Sequence, residues 1–330
     1  MSAHTIPRQK LDRLFKQFDQ LSILVVGDLM LDRFIWGSVS RISPEAPVPI
    51  VEVTSESDMP GGSANVVNNL CALGAKTYVC GIVGDDLIGR ILRDKLTHER
   101  IDLGGIMVNP ERTTTLKTRI IAHSQQMVRV DKENRVEVGD RETSRLVAYV
   151  KSIVRTVDAI IIEDYGKGLV TQRLVSELVP LAKKHGTLVS VDPKMGHRLD
   201  YRGITVITPN RAEALWLSGV ESGDRAELDQ IGHSLLTRLA CKGVLITLGE
   251  YGMCLFQKGR RPASIPTTAR EVYDVSGAGD TVISAFTAAL AAGAAMEEAA
   301  VVANYAAGVV VGKVGTATAS GSEILEAMHS

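Results

Sequence analysis

"SANVVNNLCALGAKTYVCGIVGDDLIGRILRDKLTHE", residues 63–99, changes its hydrophobic period twice. SANVVNNLCALGA carries apolar residues at helical spacing. KTYVCGIVG is a short apolar run closed by glycine, which reads as a buried strand. DLIGRILRDKLTHE returns to the helical period. Outward from this unit the alternation continues. ILVVGD (23–28) precedes it, and DAIIIED (158–164), TLVSVDP (187–193), ITVITPN (204–210) and GVLITLG (243–249) follow, separated by helical stretches. Apolar strands alternating with helices predict an α/β fold with a mostly parallel sheet covered on both faces.

Three stretches do not fit that alternation. Leu11, Leu14, Phe15 and Phe18 predict an amphipathic N-terminal helix. FIWGSVSRISPEAPVPIVEV (34–53) mixes β-branched residues with three prolines and has no helical stripe. Proline is confined to strand edges, so this segment predicts an exposed, twisted flap. TTTLKTRIIA (113–122) and MVRVD (127–131) add two more strand-like runs. The expected organisation is a single domain over residues 1–330, with a small β lid built from insertions near 34–53 and 106–131.

Composition narrows the function classes. With 45% apolar and 23% charged residues the chain is an ordinary globular one. Its 37 basic and 38 acidic residues leave a net charge of −1, so no global field attracts nucleic acid. Cys71, Cys80, Cys241 and Cys254 form no C-x-x-C and read as reduced core residues of a cytoplasmic protein. Asp12, Arg13 and Lys16 interrupt any signal-peptide core. The apolar run Thr281–Met296 is shorter than the roughly 20 residues that span a bilayer, and predicts a buried helix.

In such sheets ligands bind beyond the carboxyl ends of the strands. Those positions are polar here: Asp28 and Asp32, Asp85 and Asp86, Glu163 and Asp164, Asp192 and Lys194, Asn210 and Glu213. Any one of these acids would also serve as a turn or cap residue; five clusters on one edge point to a site. EVYDVSGAGDT (271–281) then runs directly into the apolar VISAFTAALAA. Gly277, Ala278 and Gly279 leave backbone N–H groups uncovered at a helix start, where anions bind. Asp280 beside them is placed to act as a base. The first strand is not followed by G-x-G-x-x-G, and no G-x-x-x-x-G-K-[ST] occurs, so both common nucleotide motifs are absent.

DVSGAGDT resembles the C-terminal signature of the ribokinase-like (PfkB) carbohydrate kinases, and GGSANVVNNLCALGAKTYVCGIVGDDLIG (61–89) their N-terminal one. GDLMLD (27–32), TPNRAEA (208–214) and TLGEYG (247–252) are similar to further family blocks, in the family's order. SRISPEAPVPIVEV (40–53), QQMVRVDKE (125–133) and EDYGKG (163–168) resemble the bacterial heptose 7-phosphate kinases in particular. No H-x-G-H occurs, so the stand-alone kinase rather than the bifunctional form is expected.

The resemblance implies an ATP-dependent kinase of the C1 hydroxyl of D-glycero-β-D-manno-heptose 7-phosphate; the alternative is a ribokinase-like kinase of ribose, fructose 1-phosphate or another sugar. It implies Asp280 as base, with Gly277, Ala278 and Gly279 as its anion hole. Asp32, Gly61, Gly62 and Asn65 would hold the sugar, and Lys117, Arg119, Arg129 and Lys167 its far phosphate. Lys194, Asn210, Arg211, Ala212, Glu213, Thr247, Gly249 and Gly252 would surround the nucleotide. Mg2+ is the implied cofactor, reached by Glu213 through water, with a monovalent cation such as K+ as a further candidate. A homodimer clasped through the lid is the expected assembly, with neither nucleic acid nor membrane as partner.

Overall fold

Strand β1 (Ser22–Gly27) is apolar from Ile23 to Val26 and buried along that run, as a strand covered on both faces must be. It pairs in parallel with β4 (Lys76–Gly84) on one side and β8 (Ala159–Glu163) on the other. The computed structural model describes residues 6–123, 125–220, 227–269 and 271–329. Among these, the strands are completed by β2 (Leu29–Ile42), β3 (Pro49–Gly62), β5 (Ile101–Asn109), β6 (Thr115–Ala122) and β7 (Gln125–Lys132). Then come β9 (Leu188–Asp192), β10 (Val206–Ile207), β11 (Gly243–Thr247), β12 (Met253–Gln257) and β13 (Ala263–Ile265).

The main sheet has the order β13-β12-β11-β10-β9-β8-β1-β4-β5. From β11 to β5 every pairing is parallel, and only the two pairings at the other edge, β11–β12 and β12–β13, are antiparallel. The α/β reading holds. Alternation along β1 divides the interior in two: Ile23 and Val25 join one core, Leu24 and Val26 the other. The first core is closed by α1 (Arg8–Phe18), α2 (Ser63–Ala72), α8 (Ala278–Ala291) and α9 (Met296–Val311). The second is closed chiefly by α4 (Asp140–Ile153), α5 (Gln172–His185) and α7 (Glu227–Leu239). Helices α3 (Leu87–Lys95), α6 (Arg211–Ser218) and α10 (Gly321–His329) complete the set.

The expected N-terminal helix forms as α1, burying Leu11, Leu14 and Phe18. The apolar run after Asp280 becomes α8, buried from Asp280 to Ala289, and then breaks before α9. Among the described residues, no helix is long and apolar enough to cross a membrane. All four cysteines are free, and Cys80, Cys241 and Cys254 are buried.

A second sheet, ordered β3-β2-β6-β7, forms the lid. Its limits differ from those expected from sequence. β2 starts at Leu29, with Asp28 alone between it and β1, and β3 runs on to Gly62 at the door of α2. The proposed 106–131 insertion divides, because Ile106–Asn109 pairs with β4 at the edge of the main sheet. Only the later part enters the lid. The prolines mark where β2 turns into β3; they do not mark where the lid begins.

Candidate active site

Asp280 occupies the first turn of α8 and is almost fully buried. Its carboxylate is gripped from two sides: Asn65 Nδ2 donates to Oδ2 at 2.7 Å and Tyr165 Oη to Oδ1 at 2.7 Å. Asn65 is fixed because α2 lies against α8. Asn69 Nδ2 donates to the Asn65 carbonyl, and Thr281 Oγ1 donates back to Asn69 Oδ1, both at 2.9 Å. Burial raises the Asp280 carboxyl to about 6, against the lowering pull of the Asn65 and Tyr165 hydrogen bonds. That value keeps it ionised at neutral pH while leaving it a better proton acceptor than an exposed carboxylate.

Gly277, the residue before the helix, has φ +79°, and a Cβ there would lie 2.5 Å from Asn65 Nδ2. A glycine is therefore required by conformation and by space. The anion hole expected from Gly277, Ala278 and Gly279 is smaller than its sequence suggests. The Ala278 N–H is spent on the Val275 carbonyl at 3.2 Å. The N–H groups of Gly279 and Asp280 lie in the first turn, where a helix supplies no acceptor.

Two hollows meet at this turn. One, of about 170 Å3, is lined by Tyr165, Asp192, Lys194, Glu213, Gly277 and Asp280, among others. The other, of about 390 Å3, has Thr247, Gly249 and Gly252 on one side and Val275, Val282 and Val311 on the other. Thr247 and Gly279 border both. The predicted strand-end residues Lys194, Asn210, Glu213, Thr247, Gly249 and Gly252 are thus brought together. Arg211 and Ala212 are not: both are exposed at the start of α6 and line neither hollow.

Asn210 and Glu213 have local work as well. Asn210 Oδ1 accepts from the Glu213 N–H and Glu213 Oε2 from the Asn210 N–H, both at 3.0 Å, closing a capping box on α6. The other Glu213 oxygen faces Lys194 Nζ at 3.9 Å.

Deeper in the site, Glu163 and Asp192 end adjacent strands, and Asp280 joins them. One oxygen from each lies within 4.8 Å of the others. Both Glu163 oxygens are buried without a hydrogen-bond partner. Burial, reinforced by neighbouring negative charge, raises Glu163 and Asp192 well above the ordinary carboxylate range. Three carboxylates this close cannot all be ionised unless a cation lies among them; otherwise they share a proton.

On the lid side, parallel register places Lys117 beside Asp32 and Arg119 beside Phe34. Residues two apart share a face, so Asp32, Lys117 and Arg119 point to one side of the lid. Arg119 Nη1 donates to Asp32 Oδ1 at 2.5 Å, and both side chains are largely buried. Gly61 makes room: a Cβ there would lie 2.2 Å from Asp32 Oδ2. Gly62 takes φ +55° where β3 enters α2. Register sets Arg129 opposite Arg119, and burial, with the neighbouring charges of Lys167, Arg119 and Arg129, lowers the pKa of the Lys117 ammonium against the pull of Asp32. Three of the four predicted cations are already engaged: Arg119 with Asp32, Arg129 with Asp131 at 3.0 Å and Lys167 with Glu133.

The structure gives several site residues partners that the sequence does not show. Asp28, read there as a strand-end turn or cap acid, accepts the N–H groups of Tyr165, Lys167 and Leu169 at 3.0, 3.0 and 3.1 Å. Asp164 accepts from Gly166 N–H and Tyr201 Oη, both at 2.8 Å, and contacts His197 Nδ1 at 2.7 Å. That contact raises the His197 pKa. Tyr165 was passed over although EDYGKG contains it. Its signal was a bulky residue between a strand end and glycines 166 and 168, both at positive φ.

Residues 20–323 match the pfkB family carbohydrate kinase. The chain is 46% identical over 307 residues to the bifunctional protein HldE of Desulfatibacillum aliphaticivorans, covering 93% of this chain and 63% of that protein. It is 45% identical over 318 residues to the bifunctional protein HldE of Geobacter sulfurreducens, covering 96% and 65%. The chain therefore spans a little under two thirds of the length of these relatives. Its fold is similar to Arabidopsis thaliana ribokinase complexed with ribose and ATP (TM-score 0.72, 20% identity, 93% and 98% covered). It is also similar to Escherichia coli phosphofructokinase-2 in complex with potassium (TM-score 0.76, 18% identity, 94% and 98% covered). With the family match running over nearly all of its length, the chain belongs to the pfkB family of carbohydrate kinases.

Proposed function

We propose that the chain transfers the γ-phosphoryl group of ATP to the C1 hydroxyl of D-glycero-β-D-manno-heptose 7-phosphate. The observation that carries the kinase chemistry is the buried Asp280 carboxylate, oriented by Asn65 and Tyr165 at the mouth of α8. The choice of sugar rests on the segments 40–53, 125–133 and 163–168 and on the HldE relatives. The 1,7-bisphosphate would serve lipopolysaccharide-core assembly in the cytoplasm.

In this reading Asp280 takes the C1 hydroxyl proton as that oxygen bonds to the γ-phosphorus and the bond to ADP breaks. Such transfer depends on positioning and charge stabilisation. The uncovered N–H groups at the start of α8 and its positive end face the transferring oxygens. Asp32 and Asn65 hold the sugar hydroxyls. Lys117 and Arg119, with Arg129 and Lys167 at hand, hold the far phosphate, Arg119 having a planar donor fork suited to it. The larger hollow takes the nucleotide base, and Lys194 and Glu213 face its phosphates.

An all-oxygen donor set containing an unpartnered buried carboxylate suits a hard cation. Glu163 and Asp192, with Glu213 through water, would hold Mg2+, which when bound neutralises phosphate charge.

The test is ADP release with Mg-ATP across heptose 7-phosphate, unphosphorylated heptose, ribose and fructose 1-phosphate. Turnover confined to heptose 7-phosphate is expected. Equal turnover with unphosphorylated heptose would remove the far-phosphate role of the basic cluster, and preference for ribose or fructose 1-phosphate would replace the substrate.

The lid also bears on assembly. Ile42, Val53, Val128 and Val130 are exposed on its strands, and an open sheet edge with apolar surface invites pairing. We expect a homodimer joined through the lids. Light scattering at micromolar concentration should return twice the 35.5 kDa chain mass; a monomer would exclude it.

A further inference from the structure

The connection between β8 and α5 is built around one side chain whose ring the kinase reading leaves unused. Asp28 takes the N–H groups of residues 165, 167 and 169, and Asp164 takes that of Gly166. Gly168 has φ +87°, and a Cβ there would sit 2.2 Å from the Val136 carbonyl, so the loop fits closely against its neighbour. Two buried aspartates and two left-handed glycines thus define one backbone path. What the path presents is Tyr165.

Its hydroxyl lies 2.7 Å from Asp280 Oδ1. Burial, with the negative charge of Asp280 behind it, raises the phenol well above its ordinary value, so the group remains a donor at working pH. Its ring is shared by two cations. Lys117 Nζ lies 4.9 Å from the ring centroid and Lys194 Nζ 5.8 Å. Lys117 belongs to the sugar end beside Asp32, and Lys194 to the nucleotide end beside Glu213. Both distances are within the reach of a cation–π contact.

We infer that Tyr165 is a positioning residue of the transfer: its hydroxyl fixes the Asp280 carboxylate, and its ring seats the lysines that face the two substrates. This rests on Asp280 being the base. A carboxylate held by Asn65 alone can swing about its last bond; donors on both oxygens fix its plane. Misplacing a reacting group by about 1 Å costs about a hundredfold in rate. Loss of the hydroxyl should therefore lower kcat, and loss of the ring should weaken substrate binding.

The experiment is a double-mutant cycle in the purified chain, with Mg-ATP and whichever sugar of the panel it turns over. Tyr165→Phe keeps the ring, and should lower kcat about tenfold to a hundredfold with both KM values within about twofold of wild type. Tyr165→Leu should lose the same kcat and raise both KM values as well. On the Asp280→Asn background the Phe change should cost almost nothing, because the group it positions is gone. A residue that merely supported the fold would slow both backgrounds alike. Tyr165→Leu in the same cycle supplies the reading if the Phe variant folds poorly. An unchanged kcat in Tyr165→Phe, or equal losses on both backgrounds, overturns the inference. Near-normal turnover of Asp280→Asn alone would overturn the base assignment instead, a separate result.

Discussion

Asp280→Asn should lower kcat by about 10²–10⁴-fold, the range supplied by a positioned general base. In barrier terms that is about 3–5 kcal/mol. Asparagine keeps the shape of the side chain, so substrate KM should change little. Steady-state ADP release reads the loss directly. The wild-type pH profile is the companion measurement. Burial raises the Asp280 carboxyl to about 6, and the base acts only when ionised. Activity should therefore fall as pH drops through about 6, and the residual Asp280→Asn rate should lack that limb. A variant that keeps wild-type turnover, or a profile flat to pH 5, would take the proton-acceptor role from this residue.

The second large effect is expected at the lid. Arg119→Met removes the partner of Asp32 in a pair whose side chains are 13% and 5% exposed. Breaking a pair this buried leaves the Asp32 carboxylate without its hydrogen-bonded partner and with Lys117 as its remaining neighbouring cation, at a cost of about 3 kcal/mol. Arg119 also lies 5.2 Å from the Phe34 ring centroid, and methionine retains part of that packing. The melting temperature should fall by several degrees and the sugar-phosphate KM should rise at least tenfold. Adding Asp32→Asn should recover part of the lost stability, because the stranded carboxylate charge is gone, without restoring sugar binding. If Arg119→Met alters neither melting temperature nor KM, the pair is not what holds this end of the site.

The sheet was legible because its strands are buried on both faces and read as unbroken apolar runs. Ile23–Val26 and Ala159–Ile162 could hardly be anything else once helical periods lay between them. The lid boundaries were less legible. β2 passes from a buried root at Leu29–Leu31 to an exposed tip at Ile42 with no break in extended backbone, so composition changes inside the strand and not at its start. Within the site, Asp280, Gly277 and the Asn210–Glu213 pair announced themselves through local chemistry. Tyr165 and Asp28 act through partners more than a hundred residues away. Tyr165 reaches Asp280 and Asp28 reaches the loop after β8, which single-sequence spacing does not encode. Arg211 and Ala212 adjoin a site residue in sequence, but the turn of α6 carries them to solvent.

The carboxylates gathered at the end of the sheet set a conflict between durability and work. A folded-state acid with a raised pKa holds its proton where the unfolded chain has released it. Between the ordinary carboxyl value of 3.8 and about 6, the native chain therefore binds more protons at Asp280 than the unfolded one. Stability contributed by this group falls as pH rises across that window, and above it the full penalty remains. Glu163 and Asp192, raised in the same direction, extend the penalty to higher pH. Catalysis asks for the reverse, since Asp280 must be ionised to act. For these groups, the ligand-free protein keeps best on the acid side of the range in which it turns over.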